Sequence, residues 1–281
     1  MVQPMFKAAA TALIAGAMVL GTANVSFAEG EAPGAFKEIE LPKVPWTFYG
    51  VRGTYDLAQL QRGYQIYKEV CSGCHSMKLM SYRNLGGGPG ISGGDKGDPP
   101  GIGLSEAEVK AIAAEYKVPA EPNDAGEIVD RPALPSDRFV SPFPNEQAAR
   151  AANNGALPPD FSLIAKAREG GPNYIHALLT GYTDAPAGVK MNDGMYYNKY
   201  FAAGQGQIAM PPPIGDDAVT YADGTKATLD QEAQDVAAFL MWVAEPNLPA
   251  RHRLGVEVIL YLIVATGLMY AVKRKIWSKI H

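Results

Sequence analysis

The sequence predicts a mainly α-helical, loop-rich exported domain held by one C-terminal membrane helix. Three observations carry that prediction. Residues 1–28 form an apolar leader without acidic residues, and residues 254–272 form a second apolar run, LGVEVILYLIVATGLMYAV. Between them, apolar residues at helical spacing alternate with glycine- and proline-rich stretches, and no strand-rich segment or internal repeat stands out.

The leader carries a single Lys7 before the run AAATALIAGAMVLGTA and ends in VSFA, placing Ser26 and Ala28 where a signal peptidase accepts small residues. It is read as a cleaved signal peptide. A buried N-terminal helix is the weaker reading, because the run has no polar face. The second run has nineteen residues, about 28 Å at the helical rise and enough to cross a hydrocarbon layer. Glu257 lies in its first turn, within reach of the interface. Arg251 and Arg253 precede the run, and Lys273, Arg274, Lys275 and Lys279 follow it. That cationic bias predicts residues 29–250 outside the cytoplasm, residues 251–281 as a single-pass anchor with a short cytoplasmic tail, and hence a bacterial inner membrane with a periplasmic domain.

Of 25 basic and 29 acidic residues, the leader takes one basic, and residues 251–281 take six basic and one acidic. The domain at 29–250 keeps 18 basic and 28 acidic, a net of −10. Such a charge makes nucleic acid a poor candidate partner and suits a basic protein, with a solubilising surface as the plainer alternative.

Both cysteines fall in one loop, Cys71-Ser72-Gly73-Cys74-His75. A redox dithiol needs no following histidine, and a structural zinc site lacks ligands, since only His176, His252 and His281 remain. Haem attachment accounts for every position: two thiols add to the two vinyl groups of one porphyrin edge, and the adjacent imidazole becomes the proximal axial ligand. Before the loop, Leu57, Leu60, Tyr64 and Tyr67 recur at helical spacing from Thr54 to Val70. Gly63 on that face lets another helix approach, and the predicted partner begins at Thr228, where TLDQ reads as a capping box before the stripe Ala233, Val236, Ala237, Leu240 and Val243. Two helices crossing beside a haem form the arrangement of the class I cytochrome c fold.

A low-spin carrier also needs a sixth ligand. Met77 and Met80 are too near His75, Met241 reads as core, and Met191, Met195 and Met210 remain. Met210 is favoured, because Pro211, Pro212 and Pro213 fix the backbone after it at little entropic cost. The rival His176, within YIHALLTGY, reads as a satisfied histidine on a helix. Asn84 to Gly103 reads as surface loop without a phosphate-binding pattern, residues 105–116 as a short helix capped by Ser105 and Glu108, and Lys117 to Pro144 again as loop.

From about Trp46 onward the chain resembles the cytochrome c1 family, the haem c subunit of the cytochrome bc1 complex. The carriers are CSGCH, AARAANNGALPPDFSLIAKAREGGPNYIHALLTGY from Ala148, MPPPI from Met210, DGTKAT from Asp223, FLMWVAEP from Phe239 and the terminal anchor. The resemblance implies a class I cytochrome c-like haem domain with loop-rich insertions, one covalent haem c, and Met210 as sixth ligand. It implies further that Asn153, Pro158 and Pro159 form the loop against the haem and that Arg168 and Tyr174 bond the propionates. It also implies cytochrome b, the Rieske iron–sulfur protein, membrane lipid and a soluble c-type cytochrome as partners, with quinol chemistry left to other subunits. Some relatives brace the region ahead of the axial methionine with an extra cysteine pair, which this chain lacks. The alternative reading is a free-standing, membrane-anchored monohaem relay.

Overall fold

The computed structural model describes residues 39–87 and 101–279. The expected leader and most of the glycine-rich stretch lie outside the described residues. Helix α1 (Leu57–Ile66) starts where the Asp56 side chain accepts from the Ala58 amide. It runs into a π-helical turn at Tyr67–Cys71, closed by the Ser72 amide donating to the Tyr67 carbonyl at 2.8 Å, so the cysteine loop leaves from a widened helix end. Helix α2 (Glu106–Ala114) opens with the predicted reciprocal cap between Ser105 and Glu108. Strands β1 (Lys117–Pro119) and β2 (Asp130–Pro132) then pair antiparallel, with Val118 opposite Arg131. This small ladder lies inside the stretch read as loop, where the prolines sit at strand ends and escape the pairing rule.

Helices α3 (Glu146–Ala152) and α4 (Pro172–Thr180) follow, then strands β3 (Tyr196–Tyr197) and β4 (Gln207–Ile208), also antiparallel. Helix α5 (Leu229–Ala244) is the axis of the core: both α1 and α4 pack on it, and all five residues of its predicted apolar stripe are buried. The crossing with α1 is close. A Cβ built on Gly63 would stand 2.1 Å from the Asp235 carbonyl oxygen and 2.6 Å from Phe239 Cβ, so no other residue fits there without moving a helix. Tyr64 and Tyr67 lie beside this contact, with their rings 5.7 and 6.0 Å from that of Phe239.

One polar feature of this crossing has no apolar signature in the sequence. Arg62 donates to both oxygens of the fully buried Asp235, at 2.8 and 3.2 Å, and to Asp223 at 2.8 Å. Gln231 also donates to Asp235, at 2.9 Å. The predicted capping box at Thr228 is therefore only half present. Thr228 accepts from the Gln231 amide nitrogen, but the Gln231 side chain turns inward to the buried carboxylate.

Helix α6 (Leu248–Trp277) carries Pro249 in its first turn and runs for 30 residues, longer than the apolar stretch alone required. Its apolar side chains from Leu254 to Val272 are largely exposed, and it is the helix among the described residues long and apolar enough to span a membrane. The architecture is thus a mainly helical body with two short strand pairs and one projecting helix.

Candidate functional site

The π-turn at the end of α1 delivers Cys71 half-buried and Cys74 exposed, both as free thiols. Burial pushes the Cys71 thiol up to about 12, with the nearby Cys74 thiol adding to the shift. The Cys74 and His75 amides both donate to the Cys71 carbonyl, at 3.1 and 2.9 Å, which folds the loop into one tight turn.

His75 is buried, and its orientation comes from a segment 84 residues further on. Its Nδ1 lies 2.9 Å from the Pro159 carbonyl oxygen. A carbonyl can only accept, so Nδ1 carries the proton and Nε2 keeps its lone pair. Burial lowers the imidazole pKa, opposed by the Pro159 bond and the charge of Asp160, so the ring is neutral at physiological pH. The Phe161 ring stacks on it at 4.0 Å between centroids.

Asp160 sews the two segments together. Its carboxylate accepts from Ser76 Oγ at 2.7 Å and from the amides of Lys78 and Ser162 at 2.9 Å each. The Phe161 amide donates to Ser76, and the Leu79 amide to Ser162 Oγ. Burial alone would raise the Asp160 pKa, but the bonds from Ser162, Lys78 and Ser76 outweigh it and hold the carboxyl below its ordinary value.

The second group of predicted residues is spread along α4, with Arg168 ahead of its start, Tyr174 in its first turn and Met210 held beyond its end. Tyr182 donates through its hydroxyl to the Met210 carbonyl at 3.0 Å, fixing the methionine's backbone just beyond β4. Asn198, fully buried, donates to Leu178 at 2.6 Å and accepts from the Tyr200 amide, anchoring the β3 side of the same loop to α4. The Tyr182 hydroxyl titrates well above the tyrosine range, because it is buried and senses the Tyr174 phenol. Tyr174 in turn is raised by burial and pulled back by the Arg168 guanidinium, which places those two side chains in one electrostatic neighbourhood. The guanidinium itself is exposed and donates to its neighbour's carbonyl at Ala167.

The remaining predicted residues serve locally. Asn153 ends α3, donating to the Ala149 carbonyl at 2.7 Å, and half-buried Pro158 leads into the Pro159 contact. His176 is buried and donates from Nε2 to Asp230 at 2.8 Å, but its Nδ1 is buried without a hydrogen-bond partner among the described residues, so the histidine expected to be satisfied is satisfied on one side only. Met241 is in the core and Met195 is exposed. Asp160, Phe161, Tyr182 and Asn198 were missed from sequence. Only the short DFS segment after the Pro158–Pro159 pair, an Asx-turn signal, pointed to any of them.

This donor set fits a covalently attached haem. Two free thiols stand in one turn beside a neutral imidazole, whose tautomer leaves Nε2 available to iron, and the soft thioether of Met210 comes from a separately anchored loop. The fold and the site together define a class I c-type cytochrome body with a membrane anchor.

The comparisons narrow this further. The model of the Cytochrome C1 family matches residues 46–280. Cytochrome c1 of Rhodospirillum rubrum is 45% identical over 285 residues, covering 96% of this chain and 97% of that protein. A potato (Solanum tuberosum) protein, cytochrome c1-2, heme protein, mitochondrial, is 45% identical with 92% of each chain covered. Cytochrome b/c1 of Bradyrhizobium diazoefficiens is 46% identical over 85% of this chain, which spans 36% of that longer protein. The chain belongs to the cytochrome c1 family.

Proposed function

We infer that this chain is the haem c electron-transfer subunit of a quinol–cytochrome c oxidoreductase, the cytochrome bc1 complex, and that α6 anchors it in the membrane. Haem c supplies one-electron iron chemistry when bound. On this reading Cys71 and Cys74 would carry the thioether bonds, and His75 Nε2 and the Met210 sulfur would be the iron's protein ligands. The observation that carries the ligand assignment is the 2.9 Å contact between His75 Nδ1 and the Pro159 carbonyl, which fixes ring and tautomer together. Arg168 and Tyr174 hold the propionates, and Asn153, Pro158 and Pro159 form the wall on the histidine side.

Membership in the family and the Bradyrhizobium protein's name support cytochrome b as the membrane partner. Electrons enter from the Rieske iron–sulfur protein and leave to a soluble, basic c-type cytochrome, for which the net −10 of residues 29–250 is the electrostatic argument. The domain faces the periplasm, the tail after Val272 faces the cytoplasm, and quinol oxidation belongs to the partner subunits.

Purification in mild detergent tests this assignment. The chain should co-elute in a fixed ratio with cytochrome b and the Rieske protein, and its cysteine-loop peptide should carry the mass of a haem. Elution as a stable single subunit would favour the free-standing relay, and an unmodified peptide from a host that matures c-type cytochromes would remove the haem assignment.

A further inference from the structure

We propose that the base of α6 carries a binding site for one anionic phospholipid, with Arg52 and Arg253 as the groups that hold its phosphate. The proposal rests on the reading of α6 as a membrane helix. A cavity of about 530 Å³ lies where the first turns of α6 meet the segment before α1. Its walls are mostly apolar, with Leu57, Leu60 and Val256 among them, and its charged lining residues are Arg52, Arg253 and Glu257. The cavity reaches along α6 from Pro249 to Glu257, so it straddles the start of the apolar run at Leu254. A headgroup at the arginines would thus have its acyl chains at the level of the hydrocarbon.

The charges distinguish this place from the rest of the junction. Arg251 pairs with Glu245, which Lys166 also reaches. Among the described residues neither the Arg52 nor the Arg253 guanidinium has an ion pair or hydrogen bond, and both residues are exposed. Two unpaired guanidiniums against one carboxylate leave the cavity net positive. His252, whose Nδ1 sits 3.4 Å from the Gly53 carbonyl, lines the same cavity. A guanidinium fork matches the oxygens of a phosphate in two parallel bonds, and the apolar walls suit a chain rather than water. Charge complementarity therefore favours a phosphatidylglycerol-like lipid over a zwitterionic one. It also favours lipid over a protein helix, which would need a carboxylate or an exposed carbonyl at this depth.

The test uses the assembled, full-length protein in detergent, stripped of lipid and titrated with phosphatidylglycerol or phosphatidylcholine under native mass spectrometry. Wild type should bind one phosphatidylglycerol more tightly than phosphatidylcholine. The double variant Arg52→Gln, Arg253→Gln should weaken phosphatidylglycerol about tenfold, while Arg52→Lys, Arg253→Lys retains the larger part and Arg251→Gln leaves binding unchanged. The visible spectrum reports that each variant keeps its haem domain. Equal affinity for the two lipids, or a glutamine variant that binds as wild type does, overturns the proposal. So does a photo-reactive side chain at exposed Val51 that cross-links to a partner polypeptide instead of lipid. Release of the wild-type chain by alkaline carbonate would instead contradict the membrane reading, so the two failures are distinguishable.

Discussion

The two sides of the proposed haem site are built by different means. His75 is fixed through its side chain: buried, hydrogen-bonded at Nδ1 by Pro159, stacked on Phe161, and surrounded by the Asp160 bonds that join residues 76–79 to 160–162. Met210 is half-buried and held through its backbone, by Tyr182 on its carbonyl and by the β3–β4 ladder that Asn198 ties to α4. The difference follows from the ligands' chemistry. An imidazole has a second nitrogen by which a protein can aim it, whereas a thioether offers nothing to hold except its chain. With its only two cysteines in the haem loop, the chain braces the methionine side by phenol and amide hydrogen bonds.

Both sides stand on one frame, the α1–α5 crossing, and disturbing that frame should have the largest effect. Gly63→Ala forces a methyl into the Asp235 backbone and should cost about 3 kcal/mol, read as a lower urea midpoint with both axial signatures lost together. If only one side failed, the two would not share a scaffold.

Met210→Leu separates the sides. It should lower the potential by on the order of 100 mV and open the reduced protein to CO, while leaving the histidine side spectroscopically unchanged. An unaltered potential measured by redox titration would move the sixth ligand elsewhere.

Asp160→Asn sharpens the other side and should cost about 2 kcal/mol by chemical denaturation, through the weakened bonds to Ser76, Lys78 and Ser162. The sign with pH is fixed by the lowered pKa of Asp160. Its contribution is full above the ordinary carboxylate value and is lost as pH falls through the lower folded one, so wild type and variant should converge in acid. A difference independent of pH would mean that the carboxylate charge does not matter.

Tyr182→Phe should have the smallest effect, about 1 kcal/mol, seen as a roughly fivefold larger CO-binding fraction without a change at His75. No change in CO binding would show that the β-ladder alone restrains the loop.

Much of this frame was legible in the sequence, because its logic is local and apolar. The stripe on α5 from Ala233 to Val243 has a helical period, Gly63 marks the closest approach by its missing Cβ, and the cysteine loop carries its own chemistry. The polar couplings were not legible, because they join residues far apart in the chain. Pro159 acts through a backbone carbonyl that every residue possesses, Arg62 meets the buried Asp235 173 residues further along the chain, and Gln231 serves that carboxylate rather than its expected cap. The ladder of β1 and β2 escaped notice because its strands are three residues long and bounded by prolines.

The central claim, iron held between His75 and Met210, is tested most directly by proton NMR of the reduced protein. A methionine methyl bound to haem iron lies over the porphyrin ring and resonates far upfield of every other methyl. Ligation by Met210 gives one such three-proton signal, abolished by Met210→Leu and preserved in Met191→Leu and Met195→Leu. Its absence from the wild type, or its survival without Met210, would show that the Met210 sulfur does not ligate the iron.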